Sequence, residues 1–393
     1  MLIYILILLL FIILMIRFDV NHNMKGKRAA FIFEAIILIL LFGLRYRVGG
    51  DSLMYEDEWD ILPSLDELRR MDLFSQKAQP LFYLLVALLK EVGGNFVLFQ
   101  IVHAIIVNTV FFSVINRYGD KKFTAVILYY LFMSLNSNTE ILREALAVAV
   151  FLLSLKSFVS RKWVSYYLYC VVAIGFHISA LMCLLLPLVY SISIKPWKIK
   201  KLLLISLAFV VLSVVYVNYL PSLASLSLFS FLSMSNMYKL EVYSALLGTS
   251  NINGYIIRFL GIGIILFFAY VMRKNGLSKP IYNFAINMTL VFQLVDLLIP
   301  IMGTRWGGYF SILYYMIIAD VFYSFHHRRG VLKLITVFCF AFMLFSKYFT
   351  QIAPDPWAPG NIPTYVRYIP YKSVFDKERV PDREASNRES YDI

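Results

Sequence analysis

Charged residues are scarce in this sequence. Asp, Glu, Lys and Arg make up 16% of its 393 residues, 60% are hydrophobic, and the mean hydropathy is +0.72. A soluble globular domain is excluded by this balance, because such domains carry about 25% charged residues. Cysteine is rarer still, and Cys170, Cys183 and Cys339 all lie within apolar runs. They therefore predict neither a disulfide framework nor a metal site.

The first apolar run, MLIYILILLLFIILMI, lacks a basic n-region before it and a small-residue cleavage site after it. We therefore expect a retained helix rather than a signal peptide. Apolar runs of spanning length recur along the chain, which predicts an all-α polytopic integral membrane protein with about twelve transmembrane helices. The predicted spans cover residues 2–17, 28–44, 96–117, 123–136, 140–158, 163–175, 177–194, 200–219, 253–272, 280–300, 305–325 and 331–350.

The run at 80–91, PLFYLLVALLKE, is too short to span comfortably, and it begins at a proline and ends before GGN. It predicts a half-helix or re-entrant segment. With that choice the basic loops, including KGKR, NRYGDKK, KPWKIKK and RKNGLSK, all fall on one side, as the positive-inside rule requires. The net charge of +13 is then explained by cytoplasmic loops rather than by nucleic acid, and both termini are expected outside the cytoplasm.

Residues 1–350 are predicted to form a single transmembrane domain with two sizeable outer pieces. Loop 45–79 is rich in Asp and Glu, which are expected to form a solvated face, and the amphipathic stretch 220–252 suits helices lying along the interface. Residues 351–373 are rich in Pro and Tyr, which predicts an extended outer segment. Residues 374–393 are charged, which predicts a disordered tail. The sequence shows no internal repeat.

Charged side chains near the outer ends of several predicted spans are candidate functional residues, because charge at lipid depth is costly. They are Arg45, Arg47, Asp51, Glu140, Arg143, Glu144, His177 and Arg305. Taken singly, an arginine near a helix end commonly extends to lipid headgroups, and a lone loop histidine is commonly structural. Taken together, guanidinium groups in one leaflet suit bidentate recognition of a lipid-linked phosphate or diphosphate. The pair Gly49-Gly50 permits a sharp turn or a close approach to a ligand.

Five motifs resemble, in the expected order, those of the EpsG family, the Wzy-like polymerases of bacterial exopolysaccharide, capsule and O-antigen. They are LRYRVGGDSLMYEDEW, NSNTEILREALAVAVFLLSL, GFHISALMCLLLPL, GTRWGGYF and YIPYKS. Together they extend from about residue 44 to residue 373. The sequence departs from the family's pattern at Glu144, where the family usually has Gln, so a sugar contact there would differ.

The resemblance implies a multi-spanning, GT-C-like glycosyltransferase in the bacterial inner membrane, with its active site facing the periplasm. Such an enzyme transfers a growing glycan from undecaprenyl diphosphate to a hydroxyl of a lipid-linked repeat unit. The expected partners are these lipid-linked glycans, the lipid bilayer and a chain-length regulator protein. Two other functions remain open. An O-antigen ligase or other lipid-donor glycosyltransferase usually has a large late outer loop, whereas a flippase would carry cationic residues through both leaflets.

Glycosyl transfer requires a base for the acceptor hydroxyl and stabilisation of the leaving diphosphate. Asp51, on a turn that follows two glycines, is the first candidate for the base, and His177 is the second. The expected diphosphate-binding residues are Arg45, Arg47, Arg143 and Arg305. The expected sugar contacts are Tyr55, Glu140, Glu144 and Tyr309. The predicted outer side offers no DxD-like or His-rich cluster, so we expect neither a metal nor another cofactor.

Overall fold

The computed structural model describes residues 1–70, 79–198, 200–209, 252–298, 300–325, 330–354 and 362–384. Within these ranges the chain is helical and has no strand; the only β-type pairings are isolated bridges between Arg45 and Ser373 and between Pro354 and Pro363. The helices of the first half are α1 (Leu2–Met15), α2 (Lys27–Gly43), α3 (Ser52–Trp59), α4 (Leu65–Arg70), α5 (Pro80–Glu91), α6 (Phe96–Tyr118), α7 (Lys122–Tyr129) and α8 (Leu135–Thr139). They are followed by α9 (Leu142–Val159), α10 (Trp163–Phe176), α11 (Tyr190–Ser193), α12 (Ile252–Lys274), α13 (Pro280–Leu298), α14 (Pro300–Gly308), α15 (Ser311–Tyr323) and α16 (Val331–Ile352).

Local sequence signals explain several of these helix boundaries. Helix α6 begins after Asn95, whose side chain accepts a hydrogen bond from the Leu98 N–H and so satisfies one of the free donors of the first turn. Helix α5 begins at Pro80, a residue whose missing N–H is harmless in the first turn. It ends before Gly93, which adopts a φ of 71°. The bounds of α5 are those that the sequence predicts, although α5 alone does not show whether the segment is re-entrant.

Three described helical segments are long and apolar enough to cross a membrane by length and composition: Leu2–Val20, Phe96–Tyr118 and Val331–Ile352. Shorter apolar helices lie at Trp163–Phe176, Ile178–Ser193 and Ser311–Tyr323. This pattern is that of a membrane protein. The number of about twelve spans stays a prediction.

The predicted span 305–325 is divided in the structure. Helix α14 ends at Gly308, a turn follows, and α15 begins at Ser311. Two consecutive glycines, Gly307 and Gly308, weaken the helix at this point. Arg305 therefore lies near the end of one helix and does not open the next. Most of the predicted amphipathic stretch 220–252 lies outside the described residues.

The chain divides into two compact units. The first comprises Met1–Cys183 and Phe322–Ile393, and the second comprises Leu184–Val321. In the first unit α2 packs on α6, α6 on α9, and α9 on α10. In the second unit α13 packs against both α12 and α14. The approach of α13 to α14 is close, because a Cβ on Gly303 would lie 2.4 Å from the Asp296 backbone.

Residues 362–384, called the C-terminal segment below, pack against the loop that follows α2. The Gly49 N–H donates to the Arg367 carbonyl at 2.9 Å, and the Tyr46 N–H donates to the Lys372 carbonyl at 2.8 Å. A disordered tail was predicted from residue 374, but the structure gives residues 374–384 defined contacts. The reason is Arg383, which is 1% exposed and anchors the segment despite its charged composition.

Arg383→Ala is expected to release the C-terminal segment. The Arg383 guanidinium donates to the carbonyls of Val366 and Arg47 at 3.0 Å each and to that of Pro370 at 2.6 Å. Hydrogen bonds from a charged donor contribute about 1.5–3 kcal/mol each, so we expect a lower melting temperature and faster tryptic cleavage in this segment. Arg379→Ala is the matched control, since the Arg379 side chain is 64% exposed. Equal cleavage of both variants would contradict the anchoring role.

Gly49→Ala is expected to destabilise the first unit. Gly49 has a φ of 110°, and a Cβ there would lie 2.4 Å from the Thr139 Cβ. Backbone strain and steric overlap act together, so the expected loss of stability is at least about 2 kcal/mol. Gly93→Ala is the control, because its φ of 71° is also positive but nothing lies within 4 Å of the added Cβ. In thermal unfolding in detergent, Gly49→Ala should have a clearly lower melting temperature than Gly93→Ala. Equal melting temperatures would contradict the close contact with Thr139.

Candidate functional site

The first turn of α9 holds Arg143 against two aromatic rings. Its guanidinium carbon lies 5.7 Å from the ring centroid of Tyr55 and 5.6 Å from that of Phe82. These are cation–π distances. The guanidinium charge also acts on the Tyr55 hydroxyl and lowers its pKa against the rise that burial causes. No ion pair among the described residues includes Arg143, although the Glu58 carboxylate acts on its charge electrostatically. The guanidinium is thus positioned by aromatic groups.

Asp51 lies at the start of α3 and acts on the same phenol. The Tyr55 N–H donates to the Asp51 carbonyl at 3.0 Å, which fixes the turn from which the half-buried carboxylate projects. Burial raises the pKa of Tyr55 to about 12; Arg143 opposes this rise and the Asp51 charge adds to it. Asp51 also acts electrostatically on Tyr368, in the C-terminal segment. A carboxylate and an arginine that forms no ion pair among the described residues therefore both act on Tyr55.

Arg45 is buried at the end of α2, with 1% of its surface exposed. Its Nε donates to the Val48 carbonyl at 3.2 Å, and its Nη1 donates to the carbonyl of Phe42. Burial lowers the pKa of Arg45 to about 10. Arg45 was predicted to bind a diphosphate, but in this conformation it holds the loop to α2 and offers no surface to a ligand.

Arg47 has two acidic partners. Its Nη1 lies 2.6 Å from a Glu56 oxygen and its Nε lies 3.1 Å from a Glu384 oxygen. A diphosphate would have to displace both carboxylates to bind there. Glu56 was expected on a solvated loop face, but it is half-buried in this pair; burial raises the pKa of Glu56, and Arg47 lowers it in part. Arg47 thus joins α3 to the C-terminal segment.

Glu140 connects the turn at Gly50 to the C-terminal segment. One of its oxygens accepts the Gly50 N–H at 2.7 Å, and the other accepts Arg367 Nη1 at 3.2 Å. Burial, followed by the charge of this carboxylate, raises the pKa of Tyr368. A Cβ on Gly50 would lie 2.2 Å from the Arg367 guanidinium, so the glycine is needed for this approach. Glu140 was predicted as a sugar contact, but both of its carboxylate oxygens bind protein groups. These contacts position Gly50, the residue before Asp51.

Glu144, Ser179 and His177 form a hydrogen-bonded series beside Arg143. The Ser179 hydroxyl lies 3.2 Å from Glu144 Oε1 and 2.7 Å from His177 Nδ1, and the Ser179 N–H lies 3.2 Å from the same Nδ1. The hydroxyl has one hydrogen to donate. When it donates to Glu144, the Nδ1–H donates to the hydroxyl oxygen; when it donates to Nδ1, that nitrogen carries no proton and also accepts the Ser179 N–H. Ser179 thus positions His177 beside Glu144 in either tautomer.

The two remaining predicted residues belong to the second unit. Arg305 is exposed on α14, whereas Tyr309 is fully buried in the turn before α15. The Tyr309 N–H donates to the Trp306 carbonyl at 3.3 Å, which closes that turn. The first unit thus brings together eight predicted residues, whereas these two lie in the other compact unit.

Four residues of the site escaped prediction: Phe82, Ser179, Arg367 and Tyr368. Ser179 and Tyr368 lie within motifs that were recognised, and Arg367 directly precedes one. A search for polar side chains beside the recognised motifs would have found these three. Phe82 lies in an apolar run and carries no local signal for a cation–π contact.

The model of the EpsG family matches residues 28–373. No curated protein and no solved structure matches the chain significantly.

Proposed function

The chain belongs to the EpsG family of Wzy-like polysaccharide polymerases, and we propose that it polymerises a glycan carried on a lipid diphosphate. In this reaction a growing glycan is transferred from undecaprenyl diphosphate to a hydroxyl of a lipid-linked repeat unit. Family membership supports a polymerase-type membrane enzyme. The observation that carries the proposal further is the convergence of Asp51 and Arg143 on Tyr55. It brings together the two charges that glycosyl transfer needs.

Asp51 acts as the general base in this proposal. The acceptor hydroxyl gives its proton to the carboxylate while the acceptor oxygen bonds to the anomeric carbon. The bond between that carbon and the diphosphate oxygen breaks, and its electron pair leaves with the lipid diphosphate. The turn at Gly50 sets the position of Asp51, because Glu140 and Arg367 fix that turn from the other side.

Arg143 stabilises the charge that develops on the leaving diphosphate. A guanidinium held against two aromatic rings is already oriented, so little reorganisation is required as the bond breaks. His177 assists as a hydrogen-bond donor in this proposal, with Ser179 at its Nδ1. The sequence left the choice of base open between Asp51 and His177, and we assign the base to Asp51 because Asp51 acts on Tyr55 beside Arg143.

The roles of the other predicted residues follow from their contacts. We assign Arg45, Arg47 and Glu140 to holding the site together, since each is engaged by protein groups. Tyr55 was predicted as a sugar contact, but its side chain is buried and packs against Phe82 and Arg143, so we assign it to positioning Arg143. Arg305 keeps the role in diphosphate binding that the sequence predicts; its side chain is exposed on α14.

The experiment is reconstitution of the purified full-length protein in liposomes with a synthetic undecaprenyl-diphosphate-linked repeat unit. A ladder of glycans spaced by one repeat unit, together with released lipid diphosphate, is the expected product. Single transfer to a different acceptor without a ladder would indicate a ligase. Movement of the lipid-linked unit across the bilayer without a new glycosidic bond would indicate a flippase, and either outcome would overturn the proposal.

A further inference from the structure

A groove of about 760 Å³ runs between α2 and α6, away from the candidate site. Its walls are apolar, with Phe31, Ile36 and Ile39 on α2 and Phe112 on α6. Its rim at one end is polar and basic. The rim residues are Lys27, Arg28, Asn116 and Lys122.

The groove has the length of one membrane leaflet. Its α2 wall extends from Lys27 to Ile39, and at about 1.5 Å per helical residue this distance is about 18 Å. One leaflet contributes about 15 Å of hydrocarbon. Ile32 and Ile36, on this wall, are 49% and 46% exposed, so apolar surface faces the groove along its length. An acyl chain would cover that surface and remain within one leaflet.

The basic rim has an excess of positive charge at the headgroup end. Lys122 is held there by a 2.7 Å hydrogen bond to the Asn116 side chain. Burial lowers the pKa of Lys122, and Lys27 lowers it further, because two nearby ammonium groups repel each other. Asp19 and Asp120 oppose this effect, but the Asp19 carboxylate is buried and bonded to Thr124. An anion between the lysines would relieve the repulsion.

We propose that this groove binds an anionic glycerophospholipid, with its phosphate among Lys27, Arg28 and Lys122 and an acyl chain along α2. Basic pockets between membrane helices on the cytoplasmic side are a recurring form of lipid headgroup site. The loops that carry these three residues are the ones that the charge distribution predicts to be cytoplasmic. The lipid would therefore be a component of the inner leaflet and distinct from the substrate of the outward-facing site.

The test is native mass spectrometry of the full-length protein in neutral detergent, titrated with dioleoyl phosphatidylglycerol or dioleoyl phosphatidylcholine. Wild type should retain phosphatidylglycerol more strongly. Each rim charge contributes about fivefold in affinity, so K27Q/R28Q/K122Q should lower retention on the order of 100-fold. The matched control is K156Q/R161Q/K162Q, which removes the same number of exposed charges elsewhere and should leave retention unchanged.

A second variant separates a lipid from a free phosphate. Ala35→Phe fills the apolar wall and keeps all three charges, so it should weaken phosphatidylglycerol retention without a change in folding. Glycerol 3-phosphate, which has the headgroup chemistry but no acyl chain, should not compete. Equal retention of both lipids by wild type, equal effects of the two triple variants, no effect of Ala35→Phe, or full competition by glycerol 3-phosphate would each overturn the proposal.

Discussion

Asp51→Asn is expected to lower the rate of glycan polymerisation by about 10²–10⁴-fold, the range for loss of a general base. Asparagine keeps the shape of the side chain and the start of α3, but its amide does not accept a proton at neutral pH. The loss should therefore fall on kcat and leave KM nearly unchanged. The measurement is the initial rate of ladder formation with purified protein and a lipid-linked repeat unit.

Asp57→Asn provides the control for Asp51→Asn. Asp57 lies on the same helix, but its side chain is exposed. Its substitution removes one negative charge near the site without removing the proposed base, so the rate should stay near that of wild type. If Asp51→Asn also polymerises at that rate while its melting temperature is unchanged, Asp51 is not the base.

His177 offers a further check on this assignment. If His177 acts as a neutral donor, its replacement should reduce leaving-group stabilisation and slow the reaction without shifting the pH at which the rate rises. If His177 were the base, its replacement would abolish the rise of the rate with pH. Asp51 and His177 thus predict different pH profiles for the same variant, because only the base must lose its proton before each turnover.

The sequence was sufficient to predict features that depend on local pattern. The bounds of α5 follow from Pro80 and the glycines after Glu91, and the turn at Gly49-Gly50 follows from the glycines themselves. Arg143 was predicted from its position near a helix start. Its environment was not predictable, because the contact with Phe82 depends on how α5 packs beside α9, and no periodicity in either helix encodes that.

Contacts between distant segments account for most of what sequence reasoning could not supply. The ion pair of Arg367 with Glu140 joins residues 227 positions apart, and no local pattern marks either as the partner of the other. The same applies to the pair of Arg47 with Glu384. The sequence therefore predicts charged residues near the outer ends of the spans, but it does not show which of them form ion pairs with each other. The ion pairs determine which arginine is available to bind a diphosphate.

Arg143→Ala is expected to lower kcat by about 10²–10³-fold, the loss found when one preorganised donor is removed from a developing anion. KM for the lipid-linked donor should also rise, because the guanidinium contacts the diphosphate before the bond breaks. Folding should be affected little. Arg143 forms no ion pair among the described residues, and a cation–π contact contributes about 0.5–2 kcal/mol.

Two further variants, Arg47→Ala and Arg143→Lys, test separate parts of this prediction. Arg47→Ala would leave Glu56 without its arginine and Glu384 with only the exposed Arg379, so it should lower the melting temperature, which Arg143→Ala should not. Arg143→Lys keeps the charge but loses the planar group that stacks on Tyr55 and Phe82, so it should recover only part of the rate. Arg69→Ala, at an exposed position, should be indistinguishable from wild type. Full activity of Arg143→Ala, or full rescue by lysine, would show that the diphosphate is bound elsewhere or that stacking is irrelevant to its binding.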